Sequence, residues 1–137
     1  MKLKLIMLVS VFALGLAFSA NAGSVVDGDS DLVPDAFDNC STVPNGPNDA
    51  SNQADTNQDG FGNACDPDYD DNGATTTTDF NTFFASFTGT FNPDADHDSN
   101  GATTTVDFTT FFDYFSNGNA PAGPSGLSCA GTIPCLP

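Results

Sequence analysis

Beyond Lys4 the chain has no lysine and no arginine, and it has no glutamate anywhere. Its 18 acidic residues are all Asp, which against Lys2 and Lys4 gives the formal net charge of −16. Without those two lysines the charge is −18. A compact state with that charge repels itself strongly unless cations bind. Such a surface also makes nucleic acid and anionic membranes poor partners. Catalytic groups are just as scarce. His97 is the only histidine and no G-x-S-x-G segment is present, whereas general acid–base chemistry near neutral pH usually draws on His, Lys or a carboxyl group with a raised pKa. The chain is therefore expected not to be an enzyme, with His97 an exposed bystander.

Long apolar runs are absent too. The apolar stretch at the start, Leu5 to Phe18, has 14 positions, short of the roughly 20 residues a spanning helix needs. Lys2 and Lys4 precede it and Ser19-Ala20-Asn21-Ala22 follows it, which is the pattern of a secretory signal cleaved after Ala22. The mature chain then starts at Gly23 and is expected outside the cytoplasm, whether secreted, at the cell surface or in the periplasm, with no membrane attachment. Four Cys without any C-x-x-C spacing argue against zinc and for disulfides, with three pairings open.

Acidic excess alone also fits disorder or a salt-adapted surface, so the placement of the Asp residues decides. The segment starting Asp68-Tyr69-Asp70-Asp71-Asn72-Gly73 recurs 28 residues later as Asp96-His97-Asp98-Ser99-Asn100-Gly101, and 14 of the 20 positions from 68 to 87 match their counterparts. Each copy has the ligand spacing of a 12-residue EF-hand loop, in which Ca²⁺ takes oxygens from positions 1, 3, 5, 7, 9 and 12. Those positions are Asp68, Asp70, Asn72, Ala74, Thr76 and Asp79, then Asp96, Asp98, Asn100, Ala102, Thr104 and Asp107. Ala74 and Ala102 would give backbone carbonyls, and the two Thr would bind directly or through water. Gly73 and Gly101 stand at position 6, where the turn needs φ > 0. After each loop Phe recurs at helical spacing, as Phe80, Phe83, Phe84 and Phe87, then Phe108, Phe111, Phe112 and Phe115. Two short helices packing Phe against Phe are expected.

A doubled loop-then-helix unit with Asp at position 12 and no entering helix resembles a dockerin, over about 66–118. That resemblance implies two units related by a pseudo-twofold axis, with a cohesin as partner. Upstream, Asp27-Gly28-Asp29-Ser30-Asp31 leads through Asp35 to Asp38-Asn39-Cys40, and Asn52-Gln53 leads through Asp55, Asn57 and Asp59-Gly60 to Asn63-Ala64-Cys65-Asp66. This resembles a pair of thrombospondin type 3 repeats over about 27–66, with Leu32 and Asn63 where that family often has Gly and Asp. The resemblance implies Ca²⁺ wrapped by Asp27, Asp29, Asp31, Asp35 and Asp38, and by Asp55, Asn57, Asp59, Phe61 and Asp66. It also implies a Cys40–Cys65 bridge, leaving Cys129 to pair with Cys135.

The expected molecule is small, loop-rich and mainly α/irregular, with about four Ca²⁺ sites. Its parts would be a signal (1–22), calcium-wrapped repeats (23–66), a paired loop-helix module (67–118) and a flexible tail (119–137) with a small disulfide loop. Three functions fit: a structural or adhesive module that associates with copies of itself, a docking module for a cohesin-like protein, or an acidic calcium buffer.

Overall fold

The computed structural model describes residues 25–135. The expected signal segment and its cleavage point lie outside the described residues. Among those described, no helix is long and apolar enough to cross a membrane.

Regular structure is sparse, as a chain rich in Asp, Asn, Gly and Thr dictates. Two α-helices, α1 (Thr77–Thr88) and α2 (Thr105–Ser116), follow the two Asp-rich loops at 68–79 and 96–107. Short 3₁₀ turns occupy Asp35–Phe37 and Pro93–Ala95, and no strand forms among the described residues. Thr is a poor interior helix former but a good cap, and here it caps. The Thr76 hydroxyl accepts from the Thr78 N–H at 3.2 Å, and the Asp79 carboxylate accepts from the Thr76 N–H at 2.7 Å. The pairs Thr104–Val106 and Thr104–Asp107 repeat both distances at α2. Gly89, at φ 150°, ends α1.

The Phe stripes only half meet the expectation of a core. Phe83 and Phe111 are buried and stack at 5.0 Å between ring centroids, with Ala95 beside them. Tyr69, Phe80 and Phe115 pack around that pair, whereas Phe84, Phe87, Phe108 and Phe112 are exposed. Two helices of 12 residues cannot enclose eight rings against so little other apolar material.

The first half is built differently. Its apolar centre is the Cys40–Cys65 disulfide with Ala64 and Val43. The rest is a buried amide network: the Asn39 N–H donates to the Gln53 side-chain carbonyl at 2.8 Å, Gln53 donates to Asp38 at 2.7 Å, and the Asn45 N–H donates to Asp31 at 2.9 Å. Each fixes a carboxylate or a turn that has no apolar support. The second disulfide joins Cys129 and Cys135, so the structure contains the two expected pairings.

The tail departs from the flexible linker that its Gly, Pro and Ser content suggests. It runs back over both halves as a strap. The Gly123 N–H donates to the Cys65 carbonyl (2.7 Å), the Gly126 N–H to Asp38 (2.8 Å), the Gly131 N–H to Asp59 (2.7 Å) and the Cys135 N–H to Gln58 (2.7 Å). The Ala120 carbonyl accepts from Thr75 and that of Pro124 from Ser41. Gly123 and Gly126 are there for close approach rather than flexibility: a Cβ on Gly126 would lie 1.3 Å from the Asp35 carbonyl oxygen, and one on Gly123 2.8 Å from the Cys65 Cβ.

Candidate metal centres

Four segments of the chain adopt one loop. Position 1 is Asp27, Asp55, Asp68 or Asp96, and each carboxylate accepts two backbone N–H groups from further along its own loop. Asp68 accepts from Asn72 and Gly73 at 3.2 and 2.7 Å, and Asp96 from Asn100 and Gly101 at 3.0 and 2.7 Å. Asp27 accepts from Asp31 and Leu32, both at 3.2 Å, and Asp55 from Gln58 and Gly60 at 2.7 and 2.9 Å. The backbone agrees: position 4 is left-handed in all four (Ser30, Gln58, Asp71, Ser99), as is position 6 (Leu32, Gly60, Gly73, Gly101). In the first, third and fourth loops this brings the carboxylates of positions 1 and 3 together.

Carboxylates gather in each loop. One oxygen from each of Asp27, Asp29 and Asp31 lies within 4.8 Å of the others, and the same holds for Asp68, Asp70 and Asp79 and for Asp96, Asp98 and Asp107. In the second loop the group is Asp59 and Asp66 with Asp71, a residue of the third loop. These clusters are able to hold a metal ion.

Three carboxylate oxygens of the first and third loops are buried with no hydrogen-bond donor: Oδ2 of Asp29 and Oδ1 of Asp79, both members of these clusters, and Oδ2 of Asp38, at position 12 of the first loop. Asp38 and Asp79 are 0% exposed. An unpaired buried carboxylate oxygen is costly, and the described residues include no Lys or Arg to pair with it. The donor set is all hard oxygen, which suits Ca²⁺ over zinc or copper. Asp79 serves twice, one oxygen capping α1 and the other free for an ion, so the loop and its helix are mechanically one piece.

Proton affinities reflect the same crowding. Burial, and then the Asp59 carboxylate, push Asp66 up to about 9. Burial and the adjoining Asp71 carboxyl push Asp59 up to about 6. Asp29, Asp38, Asp55, Asp68 and Asp96 are raised as well, each mainly by burial.

Other expected ligands fall less directly on the clusters. Asp35 accepts the Gly28 N–H at 2.6 Å and so ties the ends of the first loop together. Asp55 holds its own turn, and Asn57 accepts from the Asp59 N–H at 3.1 Å and donates to Asp71 at 3.3 Å. The Thr76 and Thr104 hydroxyls cap helices and donate to Asp79 and Asp107 at 3.1 and 2.9 Å. Asn72 donates to Asp70, and the Ala102 N–H to Asn100 at 3.1 Å.

Position 2 of the fourth loop overturns an expectation. His97 is buried, with Nδ1 on the Asn63 carbonyl and Nε2 2.9 Å from the Tyr69 hydroxyl. Position 2 faces inward here because the first half lies against it. Asn63 itself donates to the Pro93 carbonyl at 3.0 Å, a bond that Asp at this position would not supply. The boundary at 66/67 is thus crossed by several polar bonds. Asn45, Asp71, Asp94 and the buried role of His97 carried no signal in the sequence, since each depends on segments distant along the chain.

Comparison with family models, with curated proteins and with solved structures finds no match.

Proposed function

We propose that the protein is an exported structural module that folds around about four Ca²⁺ ions. The observation that carries the reading is the fourfold recurrence of one loop, each with an Asp at position 1 holding two backbone N–H groups and each feeding a carboxylate cluster. Unpaired buried oxygens on Asp29, Asp38 and Asp79 support a cation as the missing partner. Extracellular modules bind Ca²⁺ at roughly 10⁻⁴–10⁻³ M, so tight affinity is unnecessary. Equilibrium dialysis of residues 23–137 against millimolar Ca²⁺ tests the reading. About four ions per chain are expected; none or one would refute it.

A role in association is favoured by one further observation. Phe84 and Phe87 are exposed on α1 and the stacked pair Phe108 and Phe112 on α2, and exposed aromatic surface of this extent marks contact surfaces. The adhesive reading and the cohesin-like docking reading both use this face, and a calcium buffer needs no such face. Light scattering during size-exclusion chromatography, with and without Ca²⁺, separates self-association from a monomeric docking module.

A further inference from the structure

We propose that Asp59, Asp66 and Asp71 together hold one Ca²⁺ across the junction of the second and third loops, so that Asp71 serves the neighbouring loop rather than its own. The inference rests on the calcium reading above and deepens it at the second site, by adding a ligand that the third loop supplies.

The geometry is specific. Carboxylate oxygens of the three residues lie within 4.8 Å of one another, and Asp71 is absent from the group formed by Asp68, Asp70 and Asp79. Asp59 and Asp66 are 3% and 4% exposed. Among the described residues Asp66 receives a single hydrogen bond, from the Asp68 N–H to Oδ1, which leaves its second oxygen without a donor in a side chain almost wholly buried. Three clustered carboxyl groups with no Lys or Arg among the described residues are matched to a cation from solution.

The other three loops show what is unusual. Position 4 is Ser30, Gln58 or Ser99 there, and only the third loop has a carboxylate, Asp71. Only the third loop also begins two residues after another loop ends, at Asp66-Pro67-Asp68, with Pro67 fully buried between them. The charged residue therefore occurs where a neighbouring loop is close enough to use it. Asp94, from the turn before the fourth loop, approaches the same region. Its Oδ1 is enclosed without a partner, and the carboxylates of Asp55 and Asp59 lie near enough to act on it. An ion at this place would pin the two halves to each other.

Calcium counting by native mass spectrometry and calorimetry on residues 23–137 tests the proposal with Asp71→Ser, the residue the fourth loop carries, alongside Asp79→Ala, the double variant and Asp49→Asn. Asp71→Ser should lose one ion or weaken one site at least tenfold, with helix content unchanged in saturating Ca²⁺, while Asp49→Asn matches wild type. The double variant should lose two. If Asp71→Ser binds like wild type within twofold, or the double variant loses no more than Asp79→Ala, the shared site is refuted while the calcium reading stands. If wild type itself takes up no Ca²⁺, both are refuted.

Discussion

The Tyr69 hydroxyl lies 2.9 Å from His97 Nε2, and the two residues occupy position 2 of the third and fourth loops, 28 residues apart. The Asn63 carbonyl can only accept, so Nδ1 carries the proton and Nε2 accepts from tyrosine. Burial lowers the His97 pKa, consistent with a neutral ring. The stack continues from His97 through Tyr69 to Phe111 and Phe83, joining the helix core to the first half. His97→Ala leaves a hydroxyl and a carbonyl unpaired and should cost on the order of 2–4 kcal/mol, with Tyr69→Phe costing less. Urea unfolding in saturating Ca²⁺ checks this; losses below about 0.5 kcal/mol in both would show the bridge to be incidental.

Leu32 stands at position 6 with φ 81°, where the other three loops have glycine. It is 67% exposed, so little packing is lost on removing its side chain. Leu32→Gly should stabilise the calcium-loaded protein by roughly 1 kcal/mol, the usual cost of a left-handed non-glycine residue. A raised thermal midpoint and a tighter first site are the expected results, and an unchanged or lower midpoint would count against that loop geometry.

The strap yields a sharper contrast. Gly126→Ala puts a methyl group into the Asp35 carbonyl and must displace the tail, whereas Gly131→Ala meets no atom within 4 Å and strains only its own φ of 82°. Hydrogen exchange should therefore show lost protection in the tail and in the 35–41 region for the first variant and a small, local change for the second. Equal exchange in both would mean that the tail does not dock.

Proton linkage has a definite sign. Asp59 and Asp66 have folded values of about 6 and about 9, above the roughly 3.9 of an unfolded Asp. The ion-free fold then binds more protons than the unfolded chain between these values, and its stability falls as pH rises from about 4 to 9. Calcium displaces those protons, so the loaded protein should instead lose stability as pH falls from 7 to 5. Thermal melts of the calcium-saturated protein should therefore show a lower midpoint at pH 5 than at pH 8. An equal or higher midpoint at pH 5 would contradict ligation by these carboxylates.

What the sequence made legible follows from which physics is local. Carboxylate spacing within a 12-residue loop is local, so the groupings of Asp68, Asp70 and Asp79 and of Asp96, Asp98 and Asp107 could be read from the chain alone, as could the helices that Asp79 and Asp107 cap. Asp71 could not, because its cluster partners belong to the preceding loop. Nor could the inward turn of His97, which depends on Asn63 lying against it. The Phe spacing marked the helices correctly but not the depth of each ring, since that depends on how much chain remains to cover them. Gly123 and Gly126 read as flexible because composition does not distinguish a free glycine from one pressed against a backbone.

The central claim is that bound calcium organises this fold, and amide hydrogen exchange on ion-stripped residues 23–137, before and after millimolar Ca²⁺, tests it most directly. The account predicts fast exchange throughout without the ion. Slow amides should then appear with Ca²⁺ in Thr77–Thr88, in Thr105–Ser116 and across the four loops. Protection that is the same with and without calcium would contradict it.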